Sequence, residues 1–426
     1  MSLLLLWAVA CGGQEAETPE SVSNQEPVVP GVAVVASPES STVSEKTPLP
    51  EITLPTRNAK TPYPVLADEE MESALKALKR LVAKETADPE NPWAIAHGLL
   101  ALGESLELSN GQNAVDGLFE GYAKTVQTEG HSLIAFPQRA TGEQGQTIRV
   151  EPHTDLIMKA LAEIGVRLDR PVQVEGATHQ VGELYYDTVL STYLDKGSGA
   201  SSFVNPNDMP WGLQAVATYA DRDLTWKSKE YSQDLNMLTE FLVHVLTVES
   251  AGLFQAMRQG DAFVKDGKGV FAYTCGGSHL LQGAAYMVGK GFGGQAEKEK
   301  LEAQIALAFW RFPRELGLYE DIRTKSPENE LVLTVQQLKF VGHWIESLNK
   351  MAAMKLFDPT PAQQAAMGEA LKILVETAKR LKKTGAMDNL AVLREGNEQL
   401  YLDIVGDASH AIRGMELALG RATVTY

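Results

Sequence analysis

The sequence predicts an all-α domain of twelve helices, paired as six hairpins, that follows an apolar leader and a long linker. Helical periodicity begins abruptly at Asp68, where Met71, Leu75 and Leu78 start an apolar stripe behind an acidic first turn. Similar helix starts then recur at intervals of about sixty residues. Strand signals are few, and no alternation of polar and apolar residues is long enough to build a sheet.

Residues 1–10 form the leader, which ends in the small residues AVA before Cys11. Small residues ahead of an early cysteine resemble a bacterial lipobox, which implies cleavage before Cys11 and lipid on its thiol. The apolar run is too short to span a bilayer, so a signal peptide explains it better than a transmembrane helix. No Lys or Arg precedes the run, which favours a start further upstream. We expect an exported bacterial lipoprotein, held to a membrane by this lipid, in the periplasm or at the outer membrane or cell surface.

Residues 11–66 are expected to be a disordered linker, and residues 67–426 the folded domain. The linker is rich in Pro, Ser, Thr and Glu and holds nine of the twenty prolines, so it cannot bury enough apolar surface to offset its chain entropy. The whole chain is 44% hydrophobic and 22% charged, as is typical of a globular protein. Its net charge of -17, with a basic run only at 379–383, argues against nucleic acid as a partner. With Cys11 lipidated, Cys275 is the only thiol left, which excludes an internal disulfide.

The predicted elements follow from apolar periodicity and from Gly, Pro and Asn punctuation. The helices are expected at 68–86, 93–108, 113–127, 154–166, 181–195, 209–220, 229–257, 278–291, 296–322, 332–353, 361–384 and 399–419, the last with a break near Gly406. Short strands are expected at 132–136, 147–150 and 269–273.

The second helix of each predicted hairpin starts alike, with a histidine or tryptophan before a stretch rich in Gly, Ala and Leu. Small residues allow helices to approach closely, whereas the partner helices carry the charge expected of an outer face. The spacings are 56, 58, 68, 64 and 67 residues, which suit repeated helix pairs. The residues that mark these starts are His97, His153, Trp211, His279, His343 and His410.

On helix number, repeat length and order, residues 68–426 resemble the α/α-toroid superfamily. Its members include glycosidases, polysaccharide lyases, terpenoid cyclases and lanthionine synthetase C-like proteins. The resemblance implies an (α/α)6 toroid of six hairpins and a pocket at the mouth where the inner helices begin. Five histidines would then project toward one cavity, as general acids or bases or as metal ligands. Taken singly, each is also explained as a half-buried polar residue bonded to backbone.

The segment YTCGGSH before the fourth inner helix brings a phenol, a thiol and an imidazole together at Tyr273, Cys275 and His279. Cys275 and His279 can bind zinc with His343 or His97, because thiolate and imidazole suit this metal and a catalytic site needs three protein ligands. Toroids of the lanthionine synthetase C-like and prenyltransferase groups hold zinc, but the first group uses two cysteines. Cys275 is alternatively a nucleophile activated by histidine, or a buried structural thiol.

Carboxylates and aromatic residues near the same mouth point to carbohydrate chemistry. Glycoside hydrolysis needs two carboxylates, which Asp208 with Asp155 or Glu151 can supply, whereas a lyase would use His153, Tyr273 and Asn207. Carboxylates at helix starts are equally explained as caps, and the tryptophans as core. The predicted substrate-binding residues are Trp93, His97, Asn207, Trp211, His343 and Trp344, and the predicted catalytic residues are His153, Asp155, Asp208, Tyr273 and His279.

The sequence therefore favours an envelope lipoprotein whose toroid pocket acts on carbohydrate or cell-wall material as a hydrolase or lyase. Two alternatives stay open: a non-catalytic binding or scaffold lipoprotein, and a zinc-dependent toroid enzyme built on Cys275 and His279. No phosphate-binding loop, HExxH or GxSxG motif occurs, which argues against the common nucleotide-hydrolysing enzymes, zinc proteases and serine hydrolases.

Overall fold

The computed structural model describes residues 49, 57–142, 144–203 and 205–426. The predicted signal peptide, Cys11 and most of the predicted linker lie outside the described residues. The end of the linker is nevertheless structured, because Asn58–Ala59 pairs antiparallel with Val424–Thr425 near the C-terminus. The predicted linker thus includes a short strand that joins the two ends of the domain.

Fourteen α-helices are present among the described residues, so the prediction of a mainly helical domain is confirmed. They are α1 (Glu69–Thr86), α2 (Pro92–Leu102), α3 (Ala114–Tyr122), α4 (Leu156–Ile164), α5 (Val181–Ser191), α6 (Met209–Tyr219), α7 (Leu235–Glu249), α8 (Ala251–Gln259), α9 (Ser278–Lys290), α10 (Gln295–Lys325), α11 (Glu330–Ala353), α12 (Pro361–Lys383), α13 (Leu390–Gly396) and α14 (Glu398–Ala418).

Six of these helices, α2, α4, α6, α9, α11 and α14, are buried along most of their length and are called the central helices below. Each contacts the next: α2 packs on α4, α4 on α6, α6 on α9, α9 on α11, and α11 on α14, which returns to α2. The remaining long helices each contact a central neighbour and bury one stripe, as α1 does with Leu75, Leu78 and Val82. The core therefore lies between the central helices and an amphipathic layer around them.

Three predicted helices have clearly different bounds in the structure. The helix predicted at 113–127 ends at Tyr122 and is followed by a strand over Lys124–Thr128. The helix predicted at 93–108 ends at Leu102, since Gly103 adopts a φ of 81°. The segment 229–257 is a strand followed by α7 and α8, which meet at Ser250 with a bend of 52°. The break predicted near Gly406 is absent, and α14 is continuous there. The strand predicted at 269–273 is instead a 3₁₀ turn over Gly269–Ala272.

The described strands form five separate two-stranded antiparallel pairs, four of which are hairpins between successive helices. Three of the hairpins, predicted only in part or not at all, have two-residue turns. Their turns place two residues at positive φ, at Glu129-Gly130, Glu175-Gly176 and Lys229-Glu230, as the tight turns of hairpins require. The strands are β1 (Asn58–Ala59), β2 (Lys124–Thr128), β3 (His131–Ala135), β4 (Arg139–Thr141), β5 (Thr147–Arg149), β6 (Pro171–Val174), β7 (Ala177–Gln180), β8 (Thr225–Ser228), β9 (Tyr231–Asp234) and β10 (Val424–Thr425).

Gly283 shows why the central helices contain small residues. A Cβ atom at Gly283 of α9 would lie 2.6 Å from Cβ and 2.8 Å from Cα of Pro210 in α6. Gly283→Ala is therefore expected to lower the free energy of unfolding by about 1–3 kcal/mol through overpacking, measured by denaturant unfolding. Gly317→Ala is the control, because that glycine is exposed on α10 with nothing within 4 Å; there alanine should stabilise slightly. Equal effects at both positions would contradict the close packing of α6 and α9.

Within the part of the chain that the structure describes, no single helix is long and apolar enough to cross a membrane, although the bent pair α7 and α8 together meets that length and composition.

Candidate metal centre

The structure brings together the five histidines that the sequence singled out, but only two of them lie at the start of a helix. His279 is the second residue of α9 and His153 precedes α4, whereas His97, His343 and His410 lie well inside α2, α11 and α14. The last two helices begin at Glu330 and Glu398, close to the predicted bounds of 332 and 399, so the repeat was wrong to place His343 and His410 at helix starts. His97, His343 and His410 therefore lie within the packed interior of the domain rather than at an open mouth.

Aromatic contacts join these side chains into one cluster. The His343 ring centroid lies 4.0 Å from that of His410 and 5.1 Å from that of His279. Trp211 continues the contact, with its centroid 4.1 Å from His279 and 5.2 Å from His153, on which it stacks. His97 completes the cluster, 5.8 Å from His410, with Trp93 at 4.1 Å on its other side.

Exposure falls from the edge of this cluster to its centre. The His153 side chain is 19% exposed, whereas His279 is 4%, His410 2% and His343 1% exposed. Most of the imidazoles are thus withdrawn from bulk water. A metal ion or a substrate group inside the cluster would meet neutral nitrogen ligands.

The turn that carries Cys275 lies directly before α9. Cys275, Gly276 and Gly277 all adopt left-handed backbone conformations, with φ of 58°, 57° and 78°. Glycine takes this conformation readily, but for cysteine it is uncommon and costs about 1 kcal/mol or more. The strained turn places the Cys275 thiol near His279, at the start of the helix.

Cys275, His279 and His343 form a set with metal-ligand spacing. One ligand atom from each side chain can be chosen so that all three atoms lie within 4.8 Å of one another. Cys275 is half-buried, and the two histidines are buried. Tetrahedral zinc with three protein ligands and one open position is the usual form of a catalytic zinc site.

Hydrogen bonds orient the imidazoles. His343 Nδ1 lies 2.9 Å from the carbonyl oxygen of Lys339, to which it donates, so Nε2 is the nitrogen with a lone pair. That Nε2 atom is buried and has no hydrogen-bond partner among the residues that the structure describes. A ligand nitrogen whose ring partner donates to a backbone carbonyl is the arrangement found around protein-bound metals.

Burial also sets the protonation of these imidazoles. It lowers the pKa of His279 and His343 well below its usual value, with neighbouring histidines adding to the effect. Burial lowers the pKa of His97 to about 3 and that of His153 to about 4. At neutral pH these imidazoles are neutral, which is the form that ligates metals.

A buried ion network lies on the same central helices, around Glu163 of α4. Lys159 Nζ is 2.8 Å from Glu163 Oε2, and Lys350 Nζ pairs with Glu163 Oε1. Gln214 donates to the same carboxylate at 3.1 Å, and Arg413 Nε lies 3.5 Å from it. The carboxylate and both lysines are no more than 1% exposed.

Glu346 of α11 connects this network to the histidines. Lys350 Nζ lies 2.6 Å from Glu346 Oε1, and His410 Nδ1 donates to Glu346 Oε2 at 2.8 Å. Gln282 Nε2 donates to Oε2 at 3.2 Å. Burial alone would raise the pKa of Glu346, but Lys350 and His410 hold it well below its usual value. The carboxylate is therefore ionised and orients the His410 imidazole.

The predicted carboxylates lie by the exposed edge of the cluster. Two of them, Glu151 and Asp208, accept hydrogen bonds from residues close to them in the chain. Glu151 Oε1 accepts from the backbone N of Ile157 at 2.7 Å and so caps α4. Asp208 Oδ2 accepts from Asn205 Nδ2 at 2.9 Å. Its Oδ1 lies 4.0 Å from Nδ1 of His153. Helix capping thus accounts for Glu151.

Burial raises the pKa of all three carboxyls, but Asp155 differs in its hydrogen-bond partner, a side chain of α5. Its Oδ1 accepts from Thr188 Oγ1 at 2.8 Å, and its backbone is left-handed with φ 63°. Burial raises the pKa of Asp155 to about 7, and the neighbouring Asp187 and Asp208 add to this effect. A carboxyl group that is protonated near neutral pH is a candidate general acid.

This raised pKa gives a stability prediction. The folded protein holds the Asp155 proton between the unfolded pKa of about 3.9 and the folded value, so this group makes stability fall as pH rises across that range. In Asp155→Asn the melting temperature should fall less between about pH 4 and pH 7 than in the wild type. Asp261→Asn, at an exposed loop position, should leave the pH profile unchanged. Parallel profiles for the wild type and Asp155→Asn would contradict the raised pKa.

The remaining predicted residues are spread around the cluster. Asn207 is buried, and within the described part of the chain its Oδ1 has no hydrogen-bond partner. Tyr273 is part-buried next to Glu249, and burial raises its pKa. Trp344 faces α10, where its Nε1 donates to the Ala308 carbonyl at 3.0 Å. Trp344 thus lies in the packing between α10 and α11 rather than among the histidines.

The ion network was not identified from the sequence. Lys159 and Glu163 are four residues apart in LIMKALAEI, and such a pair is usually read as a solvated helix face. The available signal was that apolar residues surround this pair on every side, which is typical of a fully buried helix.

Comparison with known proteins finds no matching family model, no similar curated protein and no similar solved structure.

Proposed function

We propose that this protein is a zinc-dependent enzyme whose centre is formed by Cys275, His279 and His343. The observation that carries the proposal is the set of three ligand atoms within 4.8 Å of one another. The unpartnered, buried Nε2 of His343 supports it, because an orphaned nitrogen in the interior costs free energy unless it has a ligand. Thiolate and imidazole together favour zinc over Mg²⁺ or Ca²⁺.

We propose further that the domain is an α/α toroid. The cycle of contacts among the six central helices supports this architecture. In such an arrangement the histidines would project from several helices toward one axis. We also propose a lipid anchor on Cys11. Labelling of the wild type by a fatty-acid analogue that is lost in Cys11→Ser would support this anchor.

The chain supplies a candidate general base beside the proposed ligands. The His410 ring centroid lies 4.0 Å from that of His343 and 5.4 Å from that of His279. Glu346 accepts a hydrogen bond from His410 Nδ1, which fixes the ring and leaves Nε2 to take a proton. When bound, zinc supplies a Lewis acid that polarises a substrate carbonyl and activates water. His410 is then placed to remove a proton during hydrolysis.

A hydrolysis assay tests this function. We expect the zinc-loaded full chain to hydrolyse a simple activated ester, and His410→Gln to lose about 10²–10⁴-fold in rate while retaining its zinc. His244→Gln is the matched control, because His244 is exposed on α7. Loss of zinc in His410→Gln would contradict the separation of ligand and base. Zinc binding without turnover would favour a binding or scaffold protein.

Carbohydrate chemistry is the second candidate function. It is favoured by the position of Asp155, His153 and Asp208 at the most exposed part of the cluster, and by the raised pKa of Asp155. An acid with a pKa near neutrality suits protonation of a glycosidic oxygen. Release of sugar from cell-wall glycan that is lost in Asp155→Asn but retained after zinc removal would support this function over the zinc enzyme.

A further inference from the structure

The segment between Gln259, at the end of α8, and Ser278, at the start of α9, carries Cys275 and is attached to α10. Much of its first half, from residue 260 to 269, is exposed. The second half contains Phe271, which is 2% exposed, and the left-handed turn at Cys275. The position of the thiol therefore depends on what holds this segment to the rest of the domain.

A buried carboxylate of α10 holds the segment from one side. Glu315 is fully buried, and its Oε1 accepts from Lys265 Nζ at 2.9 Å. Tyr319 donates to the same oxygen at 2.6 Å. Lys265 belongs to the segment, whereas Glu315 and Tyr319 belong to α10. This ion pair ties the exposed half of the segment to the helix.

Arg311 holds the turn itself. Its Nε donates to Glu315 Oε2 at 2.6 Å, and its Nη1 donates to the carbonyl oxygen of Gly276 at 2.8 Å. The guanidinium lies 4.7 Å from the Phe271 ring centroid. A Cβ atom at Gly276 would lie 2.6 Å from Arg311 Nη2, so glycine is needed for this approach. One guanidinium thus joins α10 to the residue that follows Cys275.

The contact from Arg311 matters because the backbone of Cys275 is strained. The strained φ of Cys275 persists only where surrounding contacts fix the turn. Without the bond from Arg311, the turn is free to relax toward commoner conformations, and the thiol would leave His279 and His343. Lysine cannot replace this arrangement, because one ammonium lacks the planar fork that reaches a carboxylate and a carbonyl together.

We propose that Arg311 and Glu315 are positioning residues that hold the thiol of Cys275 against His279 and His343. The proposal rests on the proposed zinc centre for its functional meaning. Side chains of α10 would then fix the position of Cys275, whose partner ligands His279 and His343 lie on α9 and α11.

Cobalt substitution tests the positioning role, because a thiolate ligand gives Co²⁺ a charge-transfer absorption band that histidine alone does not give. In the full chain, Arg311→Gln is expected to weaken Co²⁺ binding by about 10–100-fold and to reduce this band. Arg314→Gln is the matched control, since Arg314 is exposed on the same helix. Unchanged affinity and an unchanged band in Arg311→Gln would overturn the proposal. Circular dichroism checks whether both variants are folded.

If the wild type binds no Co²⁺, the proposed zinc centre itself is contradicted. Thiol labelling then still tests whether Arg311 holds the turn at Cys275. The rate at which a water-soluble disulfide reagent modifies Cys275 is then compared in Cys11→Ser backgrounds. We expect at least a several-fold faster reaction in Arg311→Gln than in the wild type or Arg314→Gln. Equal rates in all three proteins would show that Arg311 does not hold the turn.

Discussion

Replacing Lys350 with Met is expected to lower the free energy of unfolding by about 3–5 kcal/mol. Lys350 is the only side chain that forms a described ion pair with both Glu163 and Glu346. All three are buried, so removal of the ammonium leaves two carboxylates in the interior without their shared partner. Denaturant unfolding of the wild type and the variant measures the difference.

The control for this prediction is Lys372→Met, because Lys372 is exposed on α12 and its ion pair with Glu369 is worth little. A second variant, Lys350→Met with Glu346→Gln, should recover part of the lost stability by removing one uncompensated charge. If Lys350→Met costs no more than Lys372→Met, the network is not the buried, ionised structure described above.

The second large effect concerns the proposed zinc ligands. His343→Ala is expected to weaken zinc binding by a hundredfold or more. Structural zinc sites with four protein ligands have a binding free energy of about 10–16 kcal/mol, which is roughly 3 kcal/mol for each ligand. We expect a similar contribution from His343. Competition with a chromophoric chelator measures the change in Kd.

Two comparisons separate a ligand effect from a general effect of losing histidine. His244→Ala, at an exposed position on α7, should leave the zinc Kd unchanged. His97→Ala removes a histidine of the same cluster that lies outside the ligand set, and it should weaken zinc binding much less than His343→Ala. Equal losses in His97→Ala and His343→Ala would contradict the assignment of ligands.

Apolar periodicity predicted most of the helical segments, because a half-buried or buried helix leaves a strong pattern in the sequence. The hairpins were predicted incompletely for a physical reason. Their turns place Glu175-Gly176 and Lys229-Glu230 at positive φ, whereas the sequence signal for such turns is Asn-Gly or Asp-Gly. The flanking strands have only a few residues each, which is too short for an alternating pattern to be recognised.

The candidate centre was predicted in part. The repeat of helix starts singled out His279 and His343, and the turn before α9 singled out Cys275. The depth of the site was missed because the repeat placed His343 at a helix start, whereas the helix, whose bounds were predicted closely, carries it into the interior. The role of Arg311 was missed as well, since nothing in the local sequence shows that this arginine reaches the Gly276 carbonyl. Such contacts depend on how distant helices pack.

The zinc content of the purified protein shows directly whether Cys275, His279 and His343 hold a metal ion. The full chain is purified without chelator and without affinity-tag histidines, and its zinc is measured beside a Cys275→Ser, His279→Ala, His343→Ala triple variant. We expect about one zinc per chain in the wild type and none in the variant. Wild-type zinc no higher than that of the variant would contradict a metal centre at these three residues.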